Sequence, residues 1–321
     1  MNRRPFLALP GLLALARPAI AQSPARPVRL IVPFPAGGAT DAVSRLFAPL
    51  LGQRLGATVV IENRPGAGGV PAAEVVVRAA PDGLTLLLAT SSIHSTAPAT
   101  GANLPYNVET DFTPLALIGA SPSLVLVSTT VPVNDLRGFI AWAKARRGQV
   151  NYGSSGVATT PHLNGALLDS LADLGMVHVP YRGTGAVYAE LRRGDVHVLL
   201  DVPATAATHI QAGTVKALAV TSAAPTPLAP GVPTGEQAGL PGLVSETWFG
   251  IFGPAHLPPA LAQRITEAAD AAMGDADLKA RLLSLGVEPR AGDGTALAAA
   301  ARAERERWTE LVQRLGIRAT D

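Results

Sequence analysis

Short apolar runs alternate along this chain with longer stretches in which apolar residues recur every three or four positions. The first pattern is that of buried strands and the second that of amphipathic helices. Val28–Val32 predicts a strand, Asp41–Leu55 a helix closed by Gly56, and Thr58–Glu62 a second strand. Ala72–Ala80 then predicts a helix and Leu84–Ala89 a buried strand. This βαβαβ order calls for a parallel sheet with helices on both faces.

A second unit follows the apolar strand Ser123–Ser128. It predicts helix Leu136–Arg146, strand Val150–Gly153, helix His162–Leu171, strand Met176–Val179 and helix Ala186–Arg193. Strand Val196–Leu200, helix Ala204–Ala212 and strand Val215–Val220 complete it. Ala223–Gly242 is rich in Pro and Gly and reads as a loop. Trp248–Gly253 reads as a strand returning to the first unit, with Trp248 and Phe249 as hinge or core residues. Three helices finish the chain, at Pro259–Met273, Ala276–Leu285 and Thr295–Leu315. On the last, Arg302, Glu304, Arg305, Glu306 and Arg307 read as a solvated face with local ion pairs.

The fold class expected is therefore α/β and two-lobed, each lobe a doubly wound, mainly parallel sheet, with a hinge of two crossing segments. One lobe is expected to hold residues 22–120 and 251–321, and the other residues 121–250. Ligands of open α/β sheets sit at the carboxyl ends of the strands, so candidate chemistry is sought there.

The first such end is Pro33-Phe34-Pro35-Ala36-Gly37-Gly38-Ala39-Thr40-Asp41. Its glycines let a ligand approach the main chain, Thr40 suits a helix cap, and the amides of a helix start favour an anion. Phe34, Ala36, Gly37, Gly38, Thr40 and Asp41 are its candidate contacts. The second is Gly153-Ser154-Ser155-Gly156-Val157-Ala158-Thr159-Thr160-Pro161-His162. Thr160 fits an N-cap and Pro161 the first helical position. Ser154, Ser155, Gly156, Thr159, Thr160 and His162 are the candidates here. Neither loop carries Lys or Arg, so the site expected is an anion site of amides, hydroxyls and helix ends, suited to a carboxylate more than to a phosphate. The third end, Thr90-Ser91-Ser92, adds hydroxyls. Asp201 closes a fourth, as a helix cap or as a contact to a ligand hydroxyl, amine or bridging water. Tyr181 can supply an apolar wall with a polar tip. Arg182 beside it reads as a surface residue or as a partner for a second carboxylate.

Composition narrows the class. The 321 residues suit two domains on a prior of roughly 150 each. Residues 1–21 read as a cleavable signal peptide. Arg3 and Arg4 precede an apolar Phe6–Ala16 stretch and an Ala19-Ile20-Ala21 cleavage site. That stretch is short of the ~20 residues of a membrane span. Arg3-Arg4-Pro5-Phe6-Leu7 also resembles a twin-arginine signal, so either general secretion or that route fits. The expected location is the periplasm, with the mature chain starting near Gln22. Removing the leader takes Arg3, Arg4 and Arg17 from the 26 basic residues and leaves 23 against 24 acidic. A net of −1 carries no nucleic-acid footprint. Without cysteine there is no disulfide, no thiolate metal site and no lipidated N-terminus. The six histidines are scattered and show no metal-ligand spacing. No metal or cofactor is expected.

Taken in order, the motifs resemble one family along nearly the whole mature length. They are Val28-Arg29-Leu30-Ile31-Val32-Pro33-Phe34-Pro35-Ala36-Gly37-Gly38 with Asp41, then Glu62-Asn63-Arg64-Pro65-Gly66-Ala67-Gly68-Gly69. Ala80-Pro81-Asp82-Gly83, Leu104-Pro105-Tyr106, Asp111-Phe112 and Asn151-Tyr152-Gly153-Ser154 with Gly156 and His162 follow. Val177-His178-Val179-Pro180-Tyr181-Arg182-Gly183 and Trp248-Phe249-Gly250 complete the set. The chain thus resembles the substrate-binding proteins of tripartite tricarboxylate transporters, the Bug-type receptors. The resemblance implies a type II periplasmic-binding-protein fold that closes on its ligand. In such receptors the segments matching Phe34–Asp41 and Ser154–His162 grip one carboxylate, partly through ordered waters. The implied ligands are di- and tricarboxylates, acidic amino acids or aromatic acids. The implied partner is a tripartite tricarboxylate permease, or a membrane sensor, with the receptor a monomer. Ala39 departs from the pattern, standing where many relatives have glycine.

Enzymatic readings find no support. Gly153-Ser154-Ser155-Gly156 does not fit G-x-S-x-G, because Val157 follows. There is no H-E-x-x-H, P-loop or G-x-G-x-x-G, and in Gly66-Ala67-Gly68-Gly69-Val70-Pro71 a proline replaces the last glycine.

Overall fold

The computed structural model describes residues 26–318; the signal-peptide reading of residues 1–21 lies outside them. The expected alternation opens the fold. β1 (Val28–Val32), α1 (Ala39–Leu55), β2 (Val59–Asn63), α2 (Val70–Val77) and β3 (Thr85–Thr90) follow in turn. β1 pairs parallel with both β2 and β3. Strand alternation sends Leu30, Val32, Leu86 and Leu88 to one face, where they meet Phe47 and Leu51 of α1. Ile31, Leu87 and Ala89 point the other way and meet Ala72, Ala73 and Val76 of α2. Burial on both faces explains why these strands read as unbroken apolar runs. β3 runs on into a π-helical turn, Ser92–Thr96, and the short α3 (Ala97–Ala99).

The second unit holds β5 (Leu124–Ser128), α4 (Leu136–Lys144), β6 (Asn151–Ser154), α5 (Thr160–Ala172) and β7 (Val177–Pro180). α6 (Thr184–Arg193), β8 (Val198–Asp201), α7 (Pro203–Gln211) and β9 (Val215–Val220) follow. β6 lies parallel between β7 and β8, while β5 runs antiparallel between β8 and β9. The chain returns through β10 (Glu246–Pro254), α8 (Pro259–Met273), α9 (Ala276–Ser284) and α10 (Gly294–Leu315).

Two strands were not legible in the apolar pattern. β4 (Phe112–Pro122) pairs antiparallel with β10, and β11 (Glu288–Asp293) pairs antiparallel with β4. β4 contains Pro114 and Gly119, which break a strand pattern, and the structure accommodates Pro114 beside a register shift at Ile251/Phe252. β11 is a polar edge strand whose register shifts after Pro289. These additions make the first sheet mixed, in the order β11-β4-β10-β3-β1-β2. The parallel core of each lobe stands; β10 and β11 run against it in the first sheet and β5 in the second, while β4 and β9 run with it.

The chain passes between the sheets twice, at Ser123 and near Ser245, and one buried side chain fastens both passages. Thr221 Oγ1 accepts from the Ser123 amide at 2.8 Å and donates to the Ser245 carbonyl at 2.5 Å. The Thr221 amide donates to Ser123 O and its carbonyl accepts from the Ser245 amide, each at 2.9 Å.

α10 serves both cores. Leu297 and Ala301 pack with Trp248 of β10, whereas Trp308, Leu311 and Val312 pack with Leu163 and Leu167 of α5. Glu304 between them corrects the reading of a wholly solvated charged face. It is 3% exposed. Its Oε2 accepts from Trp248 Nε1 at 2.7 Å and its Oε1 from Trp308 Nε1 at 3.1 Å. Burial pushes its carboxyl up to about 7. Arg302 and Glu306 keep the expected exposed positions.

Replacing Thr221 by Val preserves shape but orphans a buried amide and a buried carbonyl. Each orphan is expected to cost about 1–3 kcal/mol, so urea unfolding of Thr221→Val should show a clear loss, with Thr221→Ser close to the parent. Equal stability of Val and Ser variants would refute the clasp.

Candidate functional site

β1 ends at Val32, and Pro33 begins the first loop to α1. Gly37 has φ +85, a left-handed geometry that favours glycine. Gly38 is extended and is the N-cap, so the helix begins at Ala39, two residues ahead of the sequence expectation. Thr40 therefore lies inside the first turn instead of capping it. The amides of Ala39, Thr40 and Asp41 belong to that turn and have no partner within the helix. Asp41 turns inward and is buried. Its Oδ2 accepts from the Gly37 amide and from Arg45 Nε, both at 2.8 Å, and its Oδ1 accepts from Asn63 Nδ2 at 3.0 Å. Asn63 Nδ2 also donates to Phe34 O at 3.0 Å. The Arg45 guanidinium, helped by the Gly37 amide and Asn63, holds the Asp41 carboxyl down to about 2. Asp41 is thus a fixed anion that braces the loop.

β6 delivers the second loop to α5, whose N-cap is Thr159, so Thr160 falls one residue inside the helix. Several candidate side chains build this loop. Ser154 Oγ lies 2.6 Å from His178 Nε2, accepts from the Gly156 amide at 3.1 Å and donates to Gly156 O at 3.0 Å. Thr159 Oγ1 donates to Gly156 O at 2.7 Å. Ala158 adopts φ +61, unusual for a residue with a Cβ, and its amide donates to His162 Nδ1 at 2.9 Å. The His162 ring stacks on His178 at 3.7 Å and 6°, with Tyr152 stacked beyond. Burial, then the neighbouring His178, push His162 down to about 4. Ser155 is half-buried on the turn. Tyr181 is half-buried and flanks the loop, its amide donating to Ser154 O at 3.0 Å, while Arg182 is exposed.

Both helix starts reach one cavity of about 260 Å³ between the sheets. Phe34, Ala39, Thr40, Thr90, Ser91 and Ser92 line it from the first sheet, and Thr160, Val202, Ala204 and Thr205 from the second. Ser121, Thr247 and Phe249 on the crossing strands form its floor, and Leu285 and Val287 close one wall. Of the sequence candidates, Phe34, Thr40, Thr90, Ser91, Ser92 and Thr160 meet here. Ala36, Gly37, Gly38, Asp41, Ser154, Ser155, Gly156, Thr159, His162, Tyr181 and Asp201 lie behind or beside it. Ser91 is 1% exposed, and its hydroxyl has no partner among the described residues.

Asp201 proves to be an anchor. Oδ1 accepts from the Val202 amide at 2.9 Å, and Oδ2 from Thr205 Oγ1 at 2.7 Å and Tyr188 Oη at 3.1 Å. α7 has Val202 as N-cap, so Asp201 precedes the cap position. Burial pushes its carboxyl up. Sequence reasoning missed Ser121, because β4 was not recognised, and took Phe249 as hinge or core, where it is also cleft wall. It also missed Leu285–Val287, which carries no chemical signature. Gly286 in that turn has φ +76, and a Cβ there would lie 2.7 Å from the Ala204 Cβ, so first-sheet and second-sheet elements touch at this wall.

The model of the tripartite tricarboxylate transporter family receptor matches residues 43–317. The chain belongs to that family. It is similar to the UPF0065 protein in the tcbD-tcbE intergenic region of Pseudomonas sp. strain P51, at 34% identity, covering 90% of this chain and 86% of that protein. Among solved structures it is similar to Rpa4515 of R. palustris with adipate, at 32% identity and TM-score 0.78, covering 92% of this chain and 99% of that one. MatC of Rhodopseudomonas palustris with bound malate gives 33% identity and TM-score 0.72, covering 90% and 99%. The protein is a solute-binding receptor of this family and not an enzyme. Among the described residues no helix is long and apolar enough to cross a membrane.

The family receptor's second loop depends on a neutral His162. The folded state disfavours its proton, so its contribution is complete above about 6.5 and declines as the pH falls from 6.5 towards 4. His162→Asn supplies an Oδ1 acceptor that does not titrate. Urea unfolding at pH 7 and pH 4.5 should show a smaller acid loss in His162→Asn than in the parent; identical losses would contradict this role.

Proposed function

We propose that the protein is exported to the periplasm, captures a small carboxylate in the cleft, and delivers it to a membrane permease of the tripartite tricarboxylate type. Its lobes are then residues 22–120 with 251–321, and residues 121–250. One observation carries the reading: the first turns of α1 and α5 open onto the same cavity. Free amides at two helix starts present partial positive charge to an anion. The hydroxyls of Thr40 and Thr160 add donors that can rotate to fit it, while Ser92 donates to Gly68 O at 3.3 Å and shares a 2.8 Å bond with Thr90. The related structures with adipate and malate agree with this ligand chemistry. Closing the lobes removes water from the carboxylate and strengthens each of these contacts.

Gly38 offers a clean test. Its backbone is extended, and an added Cβ meets only Pro35 O at 3.4 Å, an ordinary contact. Gly38→Asp therefore folds and places a fixed negative charge at the helix start. A thermal-shift screen of mono-, di- and tricarboxylates, acidic amino acids, sugars and nucleotides is the experiment. Carboxylates near 100 times their Kd should add about 2.7 kcal/mol to the parent and nothing to Gly38→Asp. Shifts from sugars or nucleotides alone, or a carboxylate shift that survives in Gly38→Asp, would defeat the proposal.

A further inference from the structure

We infer that Thr226 and Gly286 form a latch between the two sheets, and that this latch sets how far the cleft opens. Neither residue lines the cavity, so both are positioning residues that act through the separation of the sheets. The inference rests on the lobe division proposed above and is independent of which acid the cleft holds.

Thr226 makes the first contact. It lies in the loop after β9, which is tied to the second sheet by the pairing of Val220 with Thr234 and by Ala229, buried among Leu124, Val187 and Val220. Thr226 is buried, and its hydroxyl donates to Glu288 Oε2 at 2.8 Å. Glu288 belongs to the first sheet, where it pairs with Ala120 of β4. Its carboxylate also lies 3.7 Å from the Arg290 guanidinium. The charged acceptor makes the Thr226 bond stronger than one between neutral groups.

Gly286 makes the second contact. It is buried in the turn between α9 and β11, under the start of α7. A Cβ there would lie 2.7 Å from the Ala204 Cβ and 3.2 Å from its amide nitrogen. Neither side has room to retreat. Asp201 accepts from the Val202 amide and the Thr205 hydroxyl, and so holds the start of α7 to β8. On the other side Val287 and Glu288 rest on Gly119 of β4, where a Cβ would lie 2.8 Å from Val287 Cγ1 and 2.6 Å from Glu288 O. Leu285, Val287 and Ala204 all line the cavity, so parting the latch parts the cleft wall.

The test is the separation of the sheets in the ligand-free protein. The sequence has no cysteine, so Gln53→Cys on α1 and Arg192→Cys on α6, both at exposed positions, take spin labels at two defined places. Double electron–electron resonance then reads the distance between them. Thr226→Val keeps the shape and removes the donor. It should raise the ratio of a longer-distance population to the parent one by about tenfold, the effect of losing one hydrogen bond to a charged group, with the two distances more than about 2 Å apart. Thr226→Ser should match the parent. Gly286→Ala should lengthen the distance in the same way, and adding Ala204→Gly should reverse the change, which relief of backbone strain at φ +76 cannot explain. A distance unchanged in Thr226→Val, or a Gly286→Ala change that Ala204→Gly leaves in place, would overturn the latch. Either result leaves the carboxylate reading standing, because the thermal-shift screen decides that separately.

Discussion

Thr221 and the two crossing strands hold a constraint on which the rest of the molecule depends. β4 and β10 pair along their length in the first sheet, then both lead into the second sheet through residues bonded to Thr221. The same strands form the cleft floor, so the hinge and the candidate site share one backbone. Their pleat sorts the chemistry. Ser121, Thr247 and Phe249 face the cleft, whereas Glu246 and Trp248 face α10. Charge is kept on the back of the hinge, where Glu304 ties Trp248 to Trp308 and Arg290 holds Glu246.

The cleft that results is neutral by construction. The acidic residues beside the cleft are occupied in positioning the first loop and the start of α7. Asp41 fixes Gly37, and Asp201 fixes Val202 and Thr205. What remains facing the cavity is hydroxyls, helix-start amides and hydrocarbon. A donor set without a fixed cation suits a receptor that must release its ligand, because the departing carboxylate leaves no unpaired buried charge behind.

The βαβ units were legible because their strands are buried on both faces and so read as apolar runs. β4 and β11 were not, since Pro114, Gly119 and Pro289 interrupt strand patterns that tertiary pairing overrides. The two loops were legible from glycines and hydroxyls after a strand. Which hydroxyls reach the cavity was not. Ser154 and Thr159 spend theirs on Gly156, while Thr160, indistinguishable in sequence, faces the cleft. Glu304 shows the same limit, for helical spacing placed it in a charged run while two indoles from different cores enclose it. Thr221 and Leu285–Val287 carry no motif; their roles come only from what the fold brings beside them.

The most direct measurement is a crystal structure of the receptor with the tightest carboxylate found for it. The account predicts carboxylate oxygens within about 3.2 Å of amides or hydroxyls, or of waters held by them, at both the Ala39–Asp41 and the Thr160 helix starts. A carboxylate seated on an arginine or lysine side chain, or outside this cleft, would contradict it.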